Sequence, residues 1–81
     1  MRENVRINGW NFEFVNQDNG NDQFYQCRGE VMYDDEHDEI PEPALWRAAV
    51  ELEKQLTDEG VKCEAGHSEK GWVEVTILNK Q

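Results

Sequence analysis

The stretch "PALWRAAVELEKQLTDEG", Pro43 to Gly60, decides the fold. Leu45, Ala49, Leu52 and Leu56 recur at spacings of four, three and four, the period that lines one face of an α-helix, with Ala48 beside them. Pro43 suits a first helical turn, where its missing N–H has no intrahelical acceptor. Gly60 suits the left-handed stop after Glu59. The sequence therefore predicts a helix from Pro43 through Glu59 with one buried stripe. Trp46 and Val50, turned about 100° from that stripe, form a second and narrower apolar line.

The segments on either side read as strands. Downstream, Val61, Cys63, Ala65 and His67 alternate, "SEKG" turns, and Val73, Val75 and Ile77 alternate again, opposite a face of Trp72, Glu74, Thr76 and Leu78. Upstream, "QFYQCRGEVMY", Gln23 to Tyr33, reads as one strand. Tyr25, Cys27, Gly29, Val31 and Tyr33 share its inner face, and Phe24, Gln26, Arg28, Glu30 and Met32 share its outer face. Before it, "NQDNGND" is a polar turn. In "RINGWNFEF" the Asn8-Gly9 pair makes either a tight hairpin or a glycine bulge within one longer strand.

Two strands (three with the hairpin), a helix and two strands give an α+β fold: a small antiparallel sheet of four or five strands, order β-β-α-β-β, with the helix on one face. Residues 1–81 are short enough for one domain with one modest core, worth about 3 to 5 kcal/mol. A single helix covers a single side of the sheet. Phe24, Met32, Trp72 and Leu78 are then expected on the uncovered side, an apolar surface of the kind that marks an interface.

Charge is strongly segregated. The chain has 18 acidic and 8 basic side chains, a net charge of −10. Between Ile7 and Trp46 ten acids face Arg28 alone, whereas Arg47 to Gln81 holds seven acids and five bases. Such a field repels nucleic-acid backbones and acidic membranes and attracts basic proteins. No apolar run has the length of a membrane span, and the first residues lack a signal-peptide core, so a cytoplasmic location is expected. Cys27 and Cys63 are expected to stay reduced in that compartment.

The acid run Asp34, Asp35, Glu36, His37, Asp38 and Glu39 invites a metal reading. A contiguous run without glycine sprays its side chains outward, however, so a hydrated approach to the helix, whose negative charge favours the helix N-terminus, is expected instead. Asp18, Gly20 and Asp22 alternate like a calcium loop, but the glycine register fails. Cys63 and His67 lie four residues apart on a strand, about 13 Å at 3.3 Å per residue, too far to share a zinc ion. Both cysteines fall on core faces, and Ser68 beside His67 has no evident oxyanion donors, so no catalytic residue, cofactor or metal is expected.

What remains is binding. The sequence is read as a non-catalytic protein-binding module for a basic partner, self-associating as a homodimer through the open sheet face. Phe24, Met32, Trp46, Val50, Trp72 and Leu78 are its candidate contact residues. The alternative is an inhibitor that copies nucleic-acid charge with Asp18, Asp22, Asp34, Asp35, Glu36, Asp38 and Glu39. In size and acidity the chain is similar to small phage-encoded inhibitors of that kind, although it shares no motif with them.

Overall fold

The computed structural model describes residues 3–78. The Asn8-Gly9 ambiguity resolves as a hairpin: Asn8 (φ 51°) and Gly9 (φ 86°) both take left-handed backbone, joining β1 (Val5–Ile7) to β2 (Trp10–Gln17). A single 3-10 turn, Asp18–Gly20, leads into β3 (Asp22–Arg28), and the candidate calcium loop is this turn. A two-residue strand β4 (Met32–Tyr33) pairs with β5 (Glu39–Ile40). Then follow α1 (Pro43–Asp58), β6 (Cys63–His67) and β7 (Trp72–Ile77).

Among the described residues the main sheet has five strands in the order β1-β2-β3-β7-β6, every neighbouring pair antiparallel. The chain leaves β3, passes through α1 to the edge strand β6, and returns along β7 to fill the gap. Consequently β3 and β6 point the same way without pairing. The register puts Phe14 opposite Tyr25, Tyr25 opposite Val75, and Val75 opposite Ala65, so these side chains share the face under the helix.

Leu45, Ala48, Ala49, Leu52 and Leu56 of α1 are all buried and close on Phe12, Tyr25, Val73 and Val75. Phe12 lies at the centre with no exposed surface. The helix ends as its sequence predicts. Val61 N–H donates to the Leu56 carbonyl (2.9 Å) and Gly60 N–H to that of Thr57 (3.0 Å), with Gly60 left-handed at φ 87°. Val61 and Leu56 are both buried, the apolar contact that accompanies this kind of stop. No helix among the described residues is long and apolar enough to cross a membrane.

One expectation fails. Gln23 to Tyr33 does not form a continuous strand: the main-sheet ladder stops at Arg28, and Met32 and Tyr33 belong to the separate two-stranded ribbon. Tyr33, expected inside, is 61% exposed, and Met32 is not on the open sheet face. The cause is tertiary. Gly29 N–H donates to the Gly71 carbonyl (3.0 Å), and a side chain at Gly29 would collide with the Glu42 carboxylate and the Leu45 methyl group. The start of the helix and the β6–β7 turn close over the end of β3, and the chain is diverted out of the sheet.

The β6 edge is also managed locally. The Ala65 N–H points away from β7 and donates to the Glu53 carboxylate (3.0 Å), so a helix side chain occupies an edge donor that would otherwise invite another strand.

Candidate functional site

The acid run is the tip of the β4–β5 hairpin. Asp34 N–H donates to the Asp38 carbonyl (3.1 Å) and His37 N–H to the Asp34 carbonyl (3.0 Å), with His37 left-handed at φ 66°. The Asp34 carboxylate turns inward and accepts the Glu36 and Asp38 N–H groups at 2.8 and 2.9 Å. Short aspartate side chains stabilise turns in this way. Two further carboxylates fix the hairpin to the body: Glu39 accepts the Lys70 N–H, and Glu42 accepts the Glu30 N–H at 2.7 Å. Glu42 stands at the N-terminal cap of the helix, yet its carboxylate makes no capping bond. It holds the strand exit instead.

This division of labour determines the electrostatics. Asp34, Glu39 and Glu42 are engaged in backbone hydrogen bonds, whereas the carboxylates of Asp35, Glu36 and Asp38 have no partner among the described residues. All three are exposed. No cation among the described residues forms an ion pair with them.

Beside the hairpin lies an apolar cleft of about 370 Å³ lined by Ile40, Pro41, Pro43, Trp46 and His67. The Trp46 and His67 rings meet edge to face, 5.6 Å between centroids and at 89°. A second cleft of about 450 Å³ shares His67 and continues along His37, Asp38, Glu39, Ser68 and Glu69. The two form one surface, apolar at the Trp46 end and acidic at the other. Met32 stands directly opposite Ile40 in the ribbon, so the two side chains share a face, and Met32 is 41% exposed.

The remaining candidate residues are distributed elsewhere. Phe24 and Trp72 do occupy the uncovered sheet face, both half-buried. Val15 stands opposite Phe24, and Trp72 is opposite Arg28, whose guanidinium sits 5.9 Å from the indole centroid. Glu13, Gln26 and Glu74 form a polar row across the same face. This side is therefore more polar than Phe24, Met32, Trp72 and Leu78 together would have made it. Leu78 follows the end of β7 and lines a different cleft with Thr57, Gly60 and Val61. Val50 is 41% exposed on the helix, outside the set lining the Trp46 cleft.

The acidic set is split as well. Asp18 and Asp22 lie at the β2–β3 turn, whereas the hairpin follows the other end of β3. Six residue steps separate Asp22 from Arg28, about 20 Å at 3.3 Å per step. The structure brings Asp34, Asp35, Glu36, Asp38 and Glu39 together and leaves the other two apart.

Cys27 is buried, and desolvation raises its thiol above the usual range, which suppresses the thiolate. Cys63 is half-buried against the helix, its sulfur near the Glu53 carbonyl (3.5 Å). Among the described residues no group of three or more His, Cys, Asp or Glu side chains is arranged to hold a metal ion.

Ile40, Pro41 and His67 were not among the sequence candidates, and neither was Val15. Val15 was legible, since it alternates with Glu13 and Gln17 on the outer face of β2. The others were not, because their approach to Trp46 depends on how the hairpin and β6 dock against the helix. Comparison of the chain with protein-family models, with curated proteins and with solved structures finds no match.

Proposed function

We propose that the protein is a non-catalytic binding module that captures a protein with a basic surface. The observation that carries this reading is the set of exposed carboxylates, Asp35, Glu36 and Asp38, which have no partner among the described residues and are held on an anchored hairpin beside an open apolar cleft. Exposed like charges with no ion-pair partner among the described residues contribute little to the fold. They create a field that steers oppositely charged partners and sets the orientation of encounter. The test is capture from native extract by immobilised protein, alongside an Asp35→Asn/Glu36→Gln/Asp38→Asn variant. Retention of a basic protein at low ionic strength, its loss at high ionic strength and its loss in the variant are expected. Equal capture by both forms would remove the hairpin from the account.

A second reading, self-association through the open sheet face, is supported by Val15 with Phe24 near one end of that face and Trp72 near the other, with no helix or strand among the described residues packed over them. Sedimentation at increasing concentration checks it: a dimer abolished by Phe24→Ser is the expected result, and a monomer at every concentration excludes it. The charge-copying alternative draws on the same carboxylates but has less support, because Asp18 and Asp22 do not join the hairpin's surface.

A further inference from the structure

We infer that the Trp46 cleft is the docking point for one apolar side chain of a partner peptide whose flanking residues are lysine or arginine. This inference rests on the proposed capture of a basic protein and specifies what the partner presents. The cleft wall is made of Ile40, Pro41, Pro43, Trp46 and His67, and its volume of about 370 Å³ lies near the lower limit for a ligand site. A surface of that size and character takes a leucine, methionine or aromatic side chain. Its wall carries no carboxylate to pair with a cation.

The neighbouring cleft supplies the opposite preference. Asp38, Glu39 and Glu69 line it, and it meets the apolar cleft at His67. An apolar anchor seated on Trp46 therefore places adjoining residues of the same peptide over carboxylates. Charge complementarity selects a basic peptide over an acidic one and over a second copy of this chain, whose net charge is also −10.

The site is preorganised. Pro41 and Pro43 fix their own backbone torsions, the Glu39 and Glu42 carboxylates hold the hairpin against the β6–β7 turn and the end of β3, and Trp46 is set on the first turns of the helix. A groove fixed before binding loses little entropy when occupied. A half-buried tryptophan beside charged groups is also the kind of place where binding energy concentrates.

The test is a heteronuclear NMR titration of the full chain with three synthetic peptides. One carries a single leucine between two short lysine runs, one has serine for the leucine, and one has glutamate for the lysines. The leucine peptide is expected to shift the Trp46 indole N–H and the Ile40 and His67 amides saturably, the serine peptide to bind about tenfold more weakly, and the glutamate peptide to shift none of them. The Asp35→Asn/Glu36→Gln/Asp38→Asn variant, whose changed side chains are exposed and have no partner among the described residues, is expected to keep the fold and to bind the leucine peptide about tenfold more weakly.

Equal affinity for the leucine and serine peptides overturns the cleft inference while leaving capture of a basic partner standing. Absence of any hairpin shift with either lysine peptide removes both. Shifts at Trp46 that grow with protein concentration alone assign the cleft to a second copy and overturn the inference.

Discussion

Phe12→Ala is expected to unfold most of the population at room temperature. Phe12 has no exposed surface and lies in the core beneath the helix, so truncation leaves a cavity that rigid sheet neighbours cannot fill. Large-to-small changes of this kind cost about 3 to 5 kcal/mol, which is about the whole stability of a domain this size. Urea titration followed by far-ultraviolet circular dichroism checks it. Phe12→Leu, which keeps most of the volume, is expected to lose about 1.5 kcal/mol or less and to retain a cooperative transition. A Phe12→Ala protein that unfolds at the wild-type midpoint would mean that the core is elsewhere.

Gly71→Ala is expected to cost about 3 kcal/mol, through backbone geometry and not through lost burial. Gly71 is left-handed at φ 79°, and an added methyl group would lie 2.6 Å from the Gly29 carbonyl oxygen and 3.1 Å from the Glu30 carbonyl group. All of these are main-chain atoms, so no side chain can swing aside. Gly66→Ala provides the contrast. Its added carbon meets nothing within 4 Å and its backbone is not left-handed, so a change of a few tenths of a kcal/mol is expected, in the stabilising direction. Similar denaturation midpoints for the two variants would show that β3 and the β6–β7 turn do not approach each other as described.

That approach also explains which parts of the fold the sequence revealed. Helix α1 was legible because its cause is local: Leu45, Leu52 and Leu56 repeat with the helical period, and Pro43 and Gly60 mark its ends. The first hairpin was legible as one of two options because Asn8 and Gly9 both tolerate left-handed backbone. The end of β3 was not legible, because "RGEVMY" continues the alternation of a strand past the point where the strand stops. What stops it is contact with Gly71, Glu42 and Leu45, all distant in sequence from Arg28.

The same distinction runs through the site. The acid run announced its charge, but not that Asp34, Glu39 and Glu42 would turn inward while Asp35, Glu36 and Asp38 stay without a partner among the described residues. Trp46 was visible as a second apolar line on the helix. Its partners Ile40 and His67 come from a hairpin and an edge strand whose docking no local pattern encodes. Phe24 and Trp72 were placed correctly by strand alternation, and Met32 was misplaced for the reason that ended β3.

The most direct test of the account is carboxylate footprinting, with carbodiimide-activated glycine amide, of the protein alone and in the presence of the basic protein proposed as its partner. Protection of Asp35, Glu36 and Asp38 on binding, with Glu13, Asp18 and Asp22 labelled equally in both states, is the predicted result. Protection of Glu13 and Glu74 on the open sheet face, with the hairpin carboxylates still reactive, would contradict it.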